Sequence, residues 1–405
     1  MEQNGAGAGA GAGEATFPWE ELLGSKDWSG LLSPRLVPDL RDHLLRCGSF
    51  CQIAEDSCIY DEQSEYTGKC LYSPASILRQ VFFKETADYV VDVVPNIDGY
   101  LYTTIGLPIL PIVGQTNWMG YVAVSSDALS AKTGRRDIYV VWRGTGRLLE
   151  VFEDFKAAPV PFGGDDVKIM EGWHDIYTTR NIFANIPSAQ DHLKEVITHY
   201  LQVKYKDENN LSIICVGHSL GGSLAILSAF DIARSEVSKI NGKDIQVCAV
   251  AFDAPKVGNQ AFNVALGKLP KTKVLTINNA NDIVPHWPFG GDYVKTGTIL
   301  DIDSEKSAFL KSRGEYQGDQ LLGKISQWHS LPVILHTVTG WKSTTDGFDN
   351  KSELVKARLP LVNRIAGHLK VEHKVIEGWW VEKNKGMVYN AKEDKWEEAP
   401  VPRND

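Results

Sequence analysis

The chain has 405 residues, of which 43% are hydrophobic and 23% charged. That balance allows a sizeable core and excludes a disordered or fibrous chain. Acidic residues outnumber basic ones 51 to 42, giving a net charge of −9 with no basic cluster, which argues against nucleic-acid binding by phosphate neutralisation.

The chain begins with an alternating Gly/Ala tract from Gly5 to Gly13, flanked by Glu2 and Glu14. Residues 1–16 are read as a disordered leader. It has neither the basic start nor the apolar stretch of a secretory signal. The chain is therefore expected to be cytoplasmic, with its six cysteines reduced. No run reaches the ~18 apolar residues of a membrane-spanning helix. Residues 17–405 read as a single domain, without internal repeat or linker.

Pro38 can open a helix that aligns Leu40, Leu44, Cys47 and Cys51 on one stripe. The stretch from Cys58 to Pro111 is irregular and rich in aromatics. Trp118 to Val124 is strand-like, as is Arg135 to Arg143, which Gly144-Thr145-Gly146 ends. Ser188 with Asp191 resembles a capping box, ahead of a helical stripe of Leu193, Val196, Ile197, Tyr200 and Leu201. A strand (Leu211 to Val216), a helix (Ser219 to about Arg234) and a strand (Gln246 to Phe252) follow. Then come a helix (Ala261 to Leu269) and a strand (Val274 to Asn278). This alternation predicts an α/β fold: a mostly parallel central sheet with helices on both faces. Residues 351–405 read as a small C-terminal appendage on the same domain. It comprises a Lys/Arg-spotted helix to about Leu369, then strands near Trp379-Trp380-Val381 and Gly386-Met387-Val388-Tyr389.

Gly217-His218-Ser219-Leu220-Gly221-Gly222 matches G-x-S-x-G between a buried strand and a helix. Small residues two before and two after the serine allow a sharp turn that lifts its hydroxyl to the carboxyl end of the sheet. The helix that starts there aims N–H groups and its positive dipole end at the same point, where an oxyanion would form. A serine hydroxyl needs a base to take its proton, and the base needs an orienting carboxylate. Asp282, in a loop after the Val274 strand, is the best acid, and Asp253 is its rival at another strand end. Of the later histidines, His286 is too close to Asp282 in sequence to face it easily, and spacing alone barely separates His329 from His336.

These residues resemble a known family. The motifs are Asp137-Ile138-Tyr139-Val140-Val141 with Trp142-Arg143-Gly144-Thr145, the Gly217–Gly222 elbow, Ala254-Pro255-Lys256-Val257-Gly258-Asn259 and Asn281-Asp282-Ile283-Val284-Pro285. Trp19-Glu20-Glu21-Leu22-Leu23-Gly24 and Gly378-Trp379-Trp380-Val381-Glu382 extend the match over nearly the whole chain. Together they are similar to the class 3 lipases, and within them to the plant phospholipase A1-II type, an α/β-hydrolase. The resemblance implies Ser219 as nucleophile, Asp282 as acid and His329 as base, since His329-x-Leu331-x-x-Ile334-Leu335-His336 follows the family's histidine stretch. It implies oxyanion donors at Leu220 and Thr145, and a lid over Leu148 to Phe162. Asp253 in place of Gly, Glu150-Val151 in place of Glu-Trp, Met170 in place of His and Ile334 in place of Tyr depart from the family pattern and bear on substrate preference and rate.

The expected function is a serine lipid-acyl hydrolase that cleaves the sn-1 ester of phospholipids through an acyl-enzyme on Ser219, at a membrane or micelle surface. It needs no cofactor and no metal. The alternatives are an acyltransferase or small-ester esterase on the same triad, or a binding protein on a hydrolase scaffold. Gly318-x-x-x-x-Gly323-Lys324 fails as a phosphate-binding loop at Ile325, and Cys47, Cys51, Cys58 and Cys70 lack paired zinc spacing.

Overall fold

The computed structural model describes residues 17–61, 63–81, 88–91, 93–94, 97–106, 114–145, 156–380, 387–390 and 395–398. Eight strands form the central sheet. In chain order they are β1 (Tyr89–Val90), β2 (Tyr100–Gly106), β3 (Gly114–Ser125), β4 (Arg136–Trp142), β5 (Leu211–His218), β6 (Gln246–Phe252), β7 (Thr272–Asn279) and β8 (Thr298–Ile302). Their spatial order is β1-β3-β4-β5-β6-β7-β8, with β2 also on β3. β4 to β8 run parallel, and β1, β2 and β3 add an antiparallel edge.

The parallel strands are buried on both faces, so they read as continuous apolar runs rather than alternating ones. Alternate side chains of each strand serve different clusters. Tyr139, Val141, Ile214, Val216, Cys248 and Val250 face one layer. Ile138, Val140, Trp142, Ile213, Cys215, Val247 and Ala249 face the other.

The first layer is built on α1 (Pro38–Asp56), which Pro38 opens at a position where no N–H is needed. Its predicted stripe of Leu40, Leu44, Cys47 and Cys51 is fully buried. The second layer holds α2 (Ala189–His199) and α3 (Leu220–Ala233). Ser188 caps α2 by accepting from Asp191 N at 3.1 Å, and its hydroxyl donates to the Asp191 carboxylate at 2.6 Å. The shorter Asp thus bonds the serine hydroxyl itself, where a capping-box Glu would reach the N-cap amide.

Three expectations are corrected. The Cys58–Pro111 stretch read as irregular contains β2, whose β-branched and aromatic residues Tyr100, Tyr102, Thr103 and Thr104 pair with β3. At the C-terminal end the helix is α4 (Glu353–Val362), not a helix to Leu369. Asn363 stops it: its side-chain oxygen accepts from the N–H groups of His368 and Leu369, both at 2.9 Å, and turns the chain back. Trp379 and Trp380 lie in a turn rather than a strand, and both pack into the α1-side core. Val381 lies outside the described residues. Met387–Asn390 is a strand, paired antiparallel with Lys395–Glu398.

Candidate active site

β5 ends at His218, and α3 begins at Leu220, leaving Ser219 as the whole connection. Its backbone sits at φ 57°, ψ −129°, a region that non-glycine residues avoid and that tertiary contacts must hold in place. Two contacts do so. Ser219 N donates to Phe252 O on β6 at 2.9 Å, and Ser223 Oγ on the first turn of α3 donates to Pro255 O at 2.9 Å. Gly217 is required because a Cβ there would fall 2.1 Å from Gly221 O. The first N–H groups of α3, including that of Leu220, have no acceptor within their own helix and point towards the turn.

The neighbouring strand brings Thr145 to the same edge. Trp142 on β4 pairs with Gly217 on β5, so the loops beyond the two strands lie side by side. A Cβ on Gly144 would come within 3.1 Å of His218 O. Buried Arg143 stiffens this loop. Its guanidinium donates to Gly144 O at 2.9 Å, Trp118 O at 3.2 Å and Tyr60 Oη at 3.1 Å.

Asp282 follows β7 and turns inward, accepting from Val284 N on Oδ1 at 3.0 Å. Its Oδ2 accepts a hydrogen bond from His329 Nδ1. Of the histidines that spacing left open, the structure therefore brings His329 to the carboxylate. His336 is instead buried in α6 (Leu331–Gly340), beyond α5 (Gln320–Trp328), with Nε2 bonded to Ser307 Oγ at 2.8 Å. His329 lies in the bend between α5 and α6. Asn279 locks that bend to the acid loop, donating from its side chain to Trp328 O at 2.7 Å and to Ser304 Oγ at 3.0 Å.

The His329 ring lies 4.7 Å from the ring of His218, tilted by 34°, which sets it against the residue immediately before Ser219. Ser219 Oγ and His329 Nε2 are both buried and have no hydrogen-bond partner. Burial lowers the His329 pKa against the opposing pull of Asp282, so its ring is neutral near pH 7. Burial would raise Asp282, but the His329 ring, its N–H bond, Val284 N and Asp253 together hold its carboxyl below the usual range. The pair is thus an ionised carboxylate holding a neutral imidazole by Nδ1–H, with Nε2 free to accept a proton.

Three participants carried no separate signal in the sequence. Glu55, from the end of α1, bonds His218 Nδ1 at 2.7 Å across 163 residues of chain. Asn279 and Arg143 act as described above, and all three roles depend on long-range contacts that spacing does not encode. Asp253, read as the rival acid, ends beside Asp282. One atom each of Asp253, Asp282 and His329 lies within 4.8 Å of the others. His329 Nδ1 carries the proton bonded to Asp282, so that nitrogen has no lone pair to offer a cation.

The segment expected as a lid, Leu148 to Phe162, lies outside the described residues up to residue 155. Its described part is a strand, Pro159–Pro161, paired antiparallel with Lys168–Met170. Phe162 is buried, with the Arg234 guanidinium 5.0 Å from its ring centre.

The fold and the site together define an α/β-hydrolase with a serine elbow. Residues 139–291 match the family described as lipase (class 3). Rice (Oryza sativa subsp. indica) phospholipase A1-II 5 is 38% identical over 415 residues, covering 96% of this chain and 84% of that protein. Arabidopsis thaliana phospholipase A1-IIdelta is 35% identical over 432 residues, covering 96% of this chain and 98% of its own length. Among solved structures, the Rhizomucor miehei lipase propeptide complex aligns with 17% identity and a TM-score of 0.43, over 66% of this chain and 70% of that one. The chain belongs to the phospholipase A1-II group of the class 3 lipases.

Proposed function

We propose that the protein is a phospholipase A1, removing the sn-1 acyl chain of phospholipids through Ser219, Asp282 and His329. The observation that carries this reading is the elbow: a buried serine at φ 57°, between a sheet strand and a helix N-terminus, whose preceding residue His218 lies 4.7 Å, ring to ring, from an imidazole held by a carboxylate.

In this mechanism His329 Nε2 takes the Ser219 proton as Oγ attacks the ester carbonyl. Asp282 stabilises the imidazolium that forms. The oxyanion is held by the N–H of Leu220 and by Thr145. His329 then protonates the leaving glycerol oxygen, and water activated by the same ring releases the fatty acid. The relatives named as phospholipases A1-II support the choice of substrate.

Lipid is met at a membrane or micelle surface on this reading. Exposed Ile283 and Phe289 beside the acid loop, and exposed Leu321 and Leu322 on the helix leading to His329, support it. The cytosol is the proposed compartment, supported by six cysteines that are all free thiols.

A fluorophosphonate probe should label the wild type and not Ser219→Ala, and mass spectrometry of mixed-chain phospholipid products should show loss of the sn-1 chain only. Equal labelling of both proteins would sink the assignment.

A further inference from the structure

With Ser219, Asp282 and His329 read as the triad, we propose that Asp253 is a protonated positioning acid that donates a hydrogen bond to Asp282 and so trims the pull of that carboxylate on the His329 ring.

Asp253 follows directly after β6 in a fully buried position. Its Oδ1 accepts from Asn279 N at 2.7 Å, the same residue that ties the acid loop to the histidine bend. Its Oδ2 is buried and has no donor. The group it faces is Asp282, both of whose oxygens are already accepting, one from Val284 N and one from His329 Nδ1. Two ionised carboxylates this close repel strongly at low dielectric, so one keeps a proton.

Asp282 faces an imidazole N–H and a backbone N–H, and it is the one that ionises. Asp253 has a single amide partner. Burial, then the Asp282 charge, drives its carboxyl well above the ordinary range, and they outweigh the Asn279 N–H bond and the Lys295 ammonium that oppose them. A carboxylic acid in that place has a hydrogen to give, and Asp282 is where it points. The proton stays on Asp253 through turnover, while His329 exchanges protons only with Ser219, the leaving group and water. The other charged or titratable groups acting on the His329 ring are His218 and Glu55.

The backbone of Asp253 (φ 43°) makes the test clean, because Asn and Gly both tolerate positive φ. Asp253→Asn keeps a neutral donor towards Asp282 and an acceptor for Asn279 N. Asp253→Gly removes both. The readouts are the acid limb of kcat/KM on micellar phospholipid and the NMR titration of the His329 ring in the full chain.

Asp253→Asn should leave both within about 0.2 pH unit of wild type. Asp253→Gly should raise both by about 0.5 to 1 unit, because Asp282 without its donor holds imidazolium more firmly. A fall in both variants would mean that wild-type Asp253 is ionised, and no movement in either would mean that it only props the loop. Both results overturn the proposal. The NMR titration on a Ser219→Ala background needs no turnover, so it decides the role of Asp253 even if Ser219→Ala kept full activity and the triad reading fell.

Discussion

Replacing Gly217 by alanine forces the elbow open by a known amount. A Cβ at this position would stand 2.1 Å from Gly221 O, 2.2 Å from Gly221 C and 2.6 Å from Gly222 N. All three are backbone atoms of the first turn of α3, so no side chain can swing aside. Ordinary contact begins near 3.4 Å, and the turn must therefore retreat by about 1.3 Å. That turn carries the Leu220 N–H proposed for the oxyanion, and it fixes Ser219 relative to His329. A displacement of about 1 Å at reacting groups costs on the order of 100-fold in rate. Loss of one oxyanion donor costs on the order of 100- to 1000-fold. Gly217→Ala should therefore lower kcat by about 100-fold, with KM within about threefold, because the oxyanion contact forms only in the transition state. Overpacking should also reduce stability by about 1 to 3 kcal/mol, which urea unfolding measures separately. Gly267→Ala is the control: nothing lies within 4 Å of its added Cβ, and it ends the helix Gln260–Gly267 on the surface. Micellar phospholipid turnover and fluorophosphonate labelling rates give the result. If folded Gly217→Ala turns over within about threefold of wild type, the geometric account of the elbow is wrong.

Two further predictions concern buried histidines. Glu55 raises the His329 pKa and bonds His218 at 2.7 Å, so Glu55→Gln should move the acid limb of kcat/KM to lower pH by about 0.3 to 0.5 unit, opposite to Asp253→Gly. A limb that stays put or rises would remove Glu55 from the electrostatics of the site. The fully buried His336 is held neutral down to about 3 by burial, against 6.5 for a free histidine. The unfolded chain therefore binds this proton first, and stability falls as pH drops from 6.5 towards 3, by about 1.4 kcal/mol per unit. His336→Gln should flatten the urea-unfolding stability curve by about that slope between roughly pH 6 and 4, leaving the similar contribution of His43. Parallel curves for the two proteins would refute the assignment.

Local physics made much of the protein legible from residues alone. The continuous apolar runs of β4, β5, β6 and β7 mark strands covered on both faces, and the stripe of α1 records the 3.6-residue period, signals that act over a few residues. The elbow is equally local, since Gly217, Ser219 and Gly221 define a turn whether or not the rest of the fold is known. What the tertiary structure decided are meetings between distant segments. Spacing could not choose His329 over His336 for Asp282, because the choice depends on where the α5–α6 bend lands against the β7 loop. Asn279 sets that by gripping Trp328 O across 49 residues. Glu55 has no sequence mark at all, because its role exists only once α1 lies along the sheet beside His218. Asp253 read as a rival acid to Asp282, and only their burial side by side turns two candidates for one role into a charged partner and a proton-bearing one. Turns and stripes follow from bonded neighbours, whereas partners and protonation states follow from which groups the topology presses together away from water.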